Sequence, residues 1–377
     1  MRVLITGANG FIGKNLILAL KERDDCEIIT FNRDNHFDEL PKMIKGVGLV
    51  FHLAGINRTK NEDDFITGNY ILTKKICDAV KSTGKLIPIV YTSSIQAEID
   101  NDYGRSKKAA EGELLSLQKK IDNPIYIYRL ANVFGKWARP NYNSVVATFC
   151  YNLNRDLPIY VNDAKTIIRL TYIDDVIASF MTLLDMDANK PFELNKINEY
   201  QITLGRLEEQ LKCFKESRNN LILENVGSGL VRALYSTYMS YMPTYCFNYP
   251  VFQHKDERGV FVEMLKTSNN GQISYFTAHP GVTRGGHYHH SKSEKFLIIS
   301  GEALFRFRHI NTNEYYEINT SGKVNEIIET VPGWVHDVTN IGECDLICLL
   351  WANEIFDKDK PDTIFASTNI ILKDSYE

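Results

Sequence analysis

The chain has 377 residues, 44% of them hydrophobic and 24% charged, which is the length of two ordinary domains and the composition of a globular protein. Its 43 basic and 47 acidic residues are well mixed and leave a net charge of −4, so no basic surface for nucleic acid or an anionic membrane organises it. Arg2-Val-Leu-Ile-Thr6 reads as a strand directly after Met1, no apolar run reaches spanning length, and the seven cysteines form no CxxC pair. The expectation is a cytoplasmic protein without signal peptide or membrane helix, with free, mostly buried thiols and no cysteine zinc site.

In chain order, Val3–Thr6, Ile28–Asn32, Leu49–Leu53, Ile87–Ser93 and Tyr126–Leu130 are β-branched runs that predict buried strands. Between them Lys14–Lys21, Asn69–Ser82 and Ser106–Lys119 carry apolar residues at helical spacing. This alternation predicts a doubly wound α/β domain, its parallel sheet covered on both faces. A helical stretch from near Leu230 is broken by Pro243 and Pro250. Beyond it come short alternating runs: Gly259–Leu265, Ile273–Ala278, Lys295–Ile299, Ala303–His309, Glu314–Ile318 and Leu346–Leu350. These predict an all-β sandwich or barrel, so the expected domains are residues 1–245 and 246–377.

Gly7-Ala-Asn9-Gly10-Phe11-Ile12-Gly13 lies between the first strand and the first helix. The first glycine permits the tight turn, the second lets backbone approach a pyrophosphate, and the third allows close helix–sheet packing, with the helix N-terminus attracting the anion. At the end of the second strand, where an NAD site carries an acidic residue, the chain reads Asn32-Arg33-Asp34. Arg33 can pair with a 2′-phosphate, so NADPH is the expected cofactor; the plainer reading is a solvated loop arginine, and Asp34 keeps that reading open.

Tyr103 and Lys107 lie one helical turn apart, and Ser94 ends a strand. Together they make a reductive site: Ser94 and Tyr103 hydrogen-bond a carbonyl oxygen, Tyr103 donates its proton, and the Lys107 ammonium lowers the phenol's pKa. On these residues the first 245 resemble an extended short-chain dehydrogenase/reductase of the nucleotide-sugar branch. The resemblance takes in His52-Leu53-Ala54-Gly55, Asn69, Tyr103-x-x-Ser106-Lys107-x-x-x-Glu111, Arg129-Leu-Ala-Asn132-Val-Phe-Gly135 and Arg169-Leu-Thr-Tyr-Ile-Asp-Asp175. It implies cofactor contacts at Leu53, Ala54, Gly55, Tyr103 and Lys107 and nucleotide-sugar contacts at Asn132 and Arg169. Only eight residues separate Ser94 from Tyr103, fewer than such reductases usually have.

Gly281-x5-His287-x-His289-x4-Glu294-x6-Gly301 and Pro332-Gly333-Trp-Val-His336-x3-Asn340 match the two cupin motifs, the second with a proline–glycine spacing shorter by one residue. Alternation predicts that His287 and His289 face the barrel interior and His290 faces out, unless a bulge intervenes. Glu294 and His336, expected from neighbouring strands, complete three imidazoles and one carboxylate. That set suits Zn, Fe, Mn or Ni, with zinc favoured because epimerisation needs no redox metal. The barrel half also resembles the nucleotide-sugar 3,5-epimerases, on Asp256-Glu257-Arg258-Gly259-Val260-Phe261-Val262-Glu263 and Gly281-Val-Thr-Arg284-Gly-Gly-His287-Tyr288. In those enzymes the histidine of the second stretch is the base, so His287 is read as ligand or base. His290 and Lys295 are further candidates for the base, and Arg284 for a phosphate or oxyanion contact.

Over nearly its whole length the chain resembles the bifunctional capsular polysaccharide synthesis enzymes of the CapF kind, on both motif sets and on Gly135-Lys136-Trp137, Asn141-Tyr-Asn-Ser144, Tyr235-Ser-Thr-Tyr238-Met-Ser-Tyr241, Asn353-Glu-Ile-Phe-Asp357 and Pro361-Asp-Thr363. The resemblance implies a UDP-2-acetamido-2,6-dideoxy-4-ketohexose substrate, epimerisation at C3 in the cupin, then reduction at C4 by NADPH to UDP-2-acetamido-2,6-dideoxy-L-talose, toward UDP-N-acetyl-L-fucosamine. It further implies a homodimer. The other readings are a plain ketosugar reductase whose cupin only dimerises, and an NADPH-sensing regulator. The intact Ser94, Tyr103 and Lys107 set speaks against the sensor, which needs no proton donor.

Overall fold

The computed structural model describes all residues except 60, 62, 186–196, 252, 257–258, 263–264, 266–270, 355–358 and 370–377. Parts of the Asp256–Glu263 and Asn353–Asp357 stretches therefore lie outside the described residues. Packing divides the chain into two compact units. The first comprises Met1–Phe134, Tyr142–Ser144 and Ile168–Gln201; the second comprises Gly135–Asn141, Val145–Ile167 and Ile202–Glu377. The expected 245/246 division falls inside the second unit.

The first unit is built on five parallel strands, β1 (Arg2–Thr6), β2 (Glu27–Phe31), β3 (Leu49–His52), β4 (Ile89–Ser94) and β5 (Ile125–Leu130), in the order β2-β1-β3-β4-β5. Val3, Leu4 and Ile5 of β1 are fully buried, and each contributes about 1.5–3 kcal/mol by leaving water. Helix α1 (Phe11–Lys21) follows β1, α2 (Leu72–Ser82) follows β3, α3 (Asp102–Ile121) follows β4, and α4 (Ile173–Thr182) lies later in the chain. One face of the sheet packs through Leu4, Phe31, Val50 and Ile89 against Leu72, Ile76 and Val80 of α2 and Ala110, Leu114 and Leu117 of α3. On α1, Leu16, Ala19 and Leu20 are buried. The sheet order reverses at β1 and β3, and the carboxyl ends of strands at such a point form the ligand crevice of doubly wound folds. A second small sheet joins β6 (Asn132–Phe134), β7 (Ile167–Tyr172) and β8 (Glu199–Thr203).

In the second unit three helices, α5 (Val145–Leu153), α6 (Leu204–Asn220) and α7 (Gly229–Ser240), accompany two antiparallel sheets. Helix α7 stops before Pro243, as the proline predicts. One sheet runs β12 (Gln272–Ala278), β19 (Leu346–Ala352), β14 (Glu294–Ser300), β17 (Glu326–Glu329), β9 (Asn248–Pro250). The other runs β16 (Tyr315–Ser321), β15 (Glu302–His309), β18 (Trp334–Asn340), β13 (Thr283–Tyr288), β20 (Ile364–Phe365). A separate hairpin joins β10 (Gln253–Asp256) to β11 (Gly259–Val262). Phe296 of β14 meets Phe305 of β15 at 5.4 Å between ring centroids, so the two inner faces share one aromatic core. The architecture is the expected parallel-sheet nucleotide fold followed by a cupin-like all-β barrel. The cysteines are all free, but only Cys77, Cys150 and Cys348 are buried, fewer than expected. Among the described residues no helix is long and apolar enough to cross a membrane.

Candidate functional site

Two polar centres stand out, one in each unit. In the first, Gly7 ends β1 with φ +70°, and a Cβ there would meet the Ala54 nitrogen at 2.7 Å; a Cβ on Gly13 would meet the Gly7 carbonyl oxygen at 2.3 Å. The glycine turn therefore lies flush against Leu53 and Ala54 after β3. Such a cradle accepts a pyrophosphate on backbone N–H groups. Gly10 caps α1, Asn9 is exposed, and Phe11 and Ile12 are half-buried. Arg33 is exposed just past the end of β2.

Beside the cradle, Ser94 ends β4 and Tyr103 and Lys107 lie on the first turns of α3. The Lys107 ammonium donates to the Thr92 carbonyl at 2.9 Å and lies 4.8 Å from the centre of the Tyr91 ring. Burial lowers its pKa to about 8, against the opposing pull of Glu111. Tyr103 departs from expectation: burial raises its pKa, a hydrogen bond with Ser94 only partly offsets that, and Lys107 does not lower it. The supporting residues are fixed. Asn69 binds both backbone groups of Ile56 and donates to the Ser106 hydroxyl at 2.8 Å. Glu111 is clamped by the Ser93 hydroxyl and by Arg129. His52 is completely buried between the Thr6 and Thr73 hydroxyls, at 2.8 Å each. Asn132 donates to the Arg169 carbonyl at 3.0 Å, and the Arg169 guanidinium forms a two-armed ion pair with Glu199.

In the second unit His287, His289, Glu294 and His336 bring ligand atoms within 4.8 Å of one another, the sole such group of three or more potential metal ligands among the described residues. His287 is paired across the strands with His336, with ring centres 4.7 Å apart. A bulge at Gly285–Gly286, both at positive φ, precedes His287. His290 is outside the cluster, but it and His289 lie past the end of β13, where strand alternation no longer applies. One expectation is corrected: Glu294 does not come from a strand neighbouring β13 but from β14 in the opposite sheet, so the cluster bridges both inner faces.

The donor set itself calls for a cation. The Nδ1–H of His289 donates to the Asp362 carbonyl, which can only accept. The Nε2 of His289 lies 3.1 Å from the Glu294 carboxylate. The Nε2 of His336 lies 3.3 Å from the same oxygen. Burial pushes Glu294 up, but hydrogen bonds with His289 and His336 win and hold it well below the usual carboxylate range. Burial and the neighbouring histidines push His287 down to about 3. Three imidazoles and one carboxylate around a shared point fit a divalent metal ion.

Lys295, on the next residue of the strand, is buried in an ion pair with Glu329 and donates to the Tyr249 hydroxyl at 3.1 Å. Burial would lower its pKa, but Glu329 and the two tyrosines Tyr235 and Tyr249 raise it, so it stays protonated and is no base. Arg284 is exposed on β13 and stacks over the Phe276 ring at 5.5 Å.

Comparison with known proteins bears on this pair of centres. Residues 3–195 match the NAD dependent epimerase/dehydratase family, and residues 254–364 match the polysaccharide biosynthesis C-terminal domain. The chain is 55% identical, over 97% of its length and 99% of the relative's, to UDP-2-acetamido-2,6-beta-L-arabino-hexul-4-ose reductase of Pseudomonas aeruginosa. The chain belongs to the CapF-like family of capsular polysaccharide enzymes. The crystal structure of capsular polysaccharide assembling protein CapF from Staphylococcus aureus superposes with a TM-score of 0.66 at 39% identity, covering 97% of this chain and all of that one. UDP-glucuronic acid 4-epimerase from Bacillus cereus, at 21% identity and a TM-score of 0.51, shares the fold over 58% of this chain.

Two polar residues of this CapF-like chain were given no site role by the sequence reading. Lys292 is buried, with its ammonium 3.2 Å from the free oxygen of Glu294. Asp362 touches His289 from far along the chain, and no local spacing announces it.

Proposed function

We propose that the chain is a bifunctional, NADPH-dependent nucleotide-sugar enzyme of capsular polysaccharide biosynthesis, working as a homodimer in the cytoplasm. In this reading residues 246–377 epimerise C3 of a UDP-2-acetamido-2,6-dideoxy-4-ketohexose. Residues 1–245 then reduce C4 to give UDP-2-acetamido-2,6-dideoxy-L-talose. The reductase half rests on kinship with the Pseudomonas aeruginosa reductase. The epimerase half rests on one observation: the potential ligand atoms of His287, His289, Glu294 and His336 converge within 4.8 Å of one another inside the barrel.

The order of steps follows from the chemistry. A C3 proton is acidic only beside a C4 ketone, because its removal leaves an enolate; reduction ends that activation. A Zn²⁺ ion held by His287, His289, Glu294 and His336 would supply Lewis acidity for the enolate oxygen. His287, held neutral and far below the usual histidine range, serves either as a ligand or as the base that takes the C3 proton and returns it to the opposite face. At the other centre NADPH supplies the hydride. Tyr103 keeps its proton at neutral pH because burial raises it, and it donates that proton to the C4 oxygen as Ser94 orients it. Lys107, charged below about pH 8, keeps positive charge beside the developing alkoxide. Asn132 and Arg169 contact the nucleotide-sugar and Arg33 the 2′-phosphate.

The test is the UDP-4-ketosugar in D2O with enzyme and no NADPH. Deuterium entering C3 when Zn²⁺ is present, and not after chelation, is the expected result. No exchange under either condition returns the barrel to a dimerisation module and leaves a simple reductase.

A further inference from the structure

Asp362 lies outside both cupin motifs, yet it binds every residue of the turn that joins His289 to Lys292. Its Oδ1 accepts from the His290 N–H at 2.8 Å. Its Oδ2 accepts from the Ser291 N–H at 2.8 Å, the Ser291 hydroxyl at 3.0 Å and the Lys292 N–H at 2.7 Å. Its own carbonyl takes the Nδ1–H of His289. One residue thus satisfies three consecutive backbone donors and orients one ring of the cluster.

Asp362 is itself held from behind. The following residues Ile364 and Phe365 pair with Tyr288 and His287. The Ala366 N–H donates to the Gly286 carbonyl at 2.9 Å. The Ser367 carbonyl accepts from the buried Arg308 guanidinium at 2.9 Å, and the Thr368 hydroxyl reaches Asp337 beside His336. The segment from 362 to 368 is a strap stitched along β13, and Asp362 is the end of it that meets the cluster.

We propose that Asp362 is the positioning residue of the metal centre. Through its carbonyl it fixes His289 as the Nδ1–H tautomer, with Nε2 aimed at the point shared by Glu294 and His336. Through its carboxylate it holds the 290–292 turn, which sets the distance between His289, just past the end of β13, and Glu294 at the start of β14. Outer partners of this kind orient ligand rings and tune affinity. The inference rests on the metal reading above.

The test uses the full chain, stripped of metal and titrated with Zn²⁺ alone against a competing chelator, as wild type, Asp362→Asn and Ser291→Ala. Asparagine keeps the volume but turns one acceptor into an NH₂ that faces N–H donors. The expected result is Zn²⁺ affinity lower by about 10–100-fold in Asp362→Asn and by about 2–10-fold in Ser291→Ala, which loses the hydroxyl's bond to Asp362 and the one it accepts from Arg232. The visible absorption bands of the Co²⁺-loaded Asp362→Asn protein should also move, which a residue needed only for folding would not cause. Affinity within twofold of wild type and an unchanged Co²⁺ spectrum in Asp362→Asn would overturn the proposal. If that variant does not fold, Ser291→Ala decides alone, with unchanged affinity counting against. A wild type that takes up neither ion overturns the metal reading first, and is told apart by that control.

Discussion

The two polar centres of this chain are built on opposite plans. In the first unit each functional group comes from a local motif. The Gly7–Gly13 turn joins one strand to one helix, and Tyr103 and Lys107 share the first turns of another helix. In the second unit His287 and His336 sit on paired strands, Glu294 on the facing sheet and Asp362 on a late strap. The parallel sheet presents its chemistry at strand ends, where loops can be cut to a ligand. The barrel presents it from inside, where side chains of many segments must converge. The first plan is a site made by sequence neighbours. The second is a site made by tertiary register, more exposed to disturbance at a distance.

If the centres are independent in chemistry, single substitutions should separate them. Tyr103→Phe should lower reduction, followed as NADPH oxidation, by about 10²–10⁴-fold while C3–H exchange stays at the wild-type rate. His336→Ala should abolish Zn²⁺ uptake and C3 exchange with NADPH binding intact. Retained NADPH consumption in the first variant, or unchanged metal content in the second, breaks the assignment of that centre.

A smaller effect is expected at the cradle. In Gly13→Ala the new Cβ would lie 2.3 Å from the Gly7 oxygen and 2.8 Å from the Ala8 Cα, backbone atoms with little freedom to move. Overpacking of this kind costs about 1–3 kcal/mol, so NADPH affinity by calorimetry should fall about 10–100-fold while Zn²⁺ uptake is unaffected. Equal NADPH affinity would place the pyrophosphate elsewhere.

Acid should act on the first unit through His52, whose pKa burial, aided by Lys107, lowers to about 3. Between pH 6.5 and 3 the unfolded chain binds this proton and the folded chain does not, so stability falls as pH falls through that window. At pH 4.5 the loss from His52 is roughly 3 kcal/mol. A His52→Asn variant, less stable overall, should show a shallower acid slope in urea unfolding, whether or not Zn²⁺ is present. An identical slope contradicts a buried neutral His52.

The smallest expected effect is at Arg33. Its replacement by alanine should raise the NADPH KM about tenfold, in line with loss of a charge-assisted contact, and leave the NADH KM nearly unchanged. No change in either would make Arg33 a solvated loop residue.

Legibility followed the same divide. The runs at Val3–Thr6, Leu49–Leu53 and Ile87–Ser93 marked β1, β3 and β4 closely, because strands buried on both faces are uniformly apolar. Strand β18 was not marked: Trp334-Val-His-Asp-Val-Thr-Asn340 hides its alternation because His336, Asp337 and Asn340 are buried polar residues with partners of their own. The four cluster residues were legible from motif spacing. The sheet that supplies Glu294 was not, since spacing records distance along the chain and not the face across the barrel. Tyr103 was legible as a position and misread as an environment, because burial outweighs a neighbouring charge in setting its pKa. Asp362 was legible only as part of the Pro361-Asp-Thr363 stretch of the family resemblance, and its contact with His289, made by the barrel's closure, had no local signal.

The central claim, two centres acting in a fixed order, is tested most directly by NMR of the product formed from the UDP-4-keto-6-deoxy-N-acetyl sugar, NADPH and enzyme in D2O. The account predicts an L-talo product with deuterium at C3. A reduced sugar that keeps its C3 proton and configuration would contradict it and leave the barrel without a catalytic role.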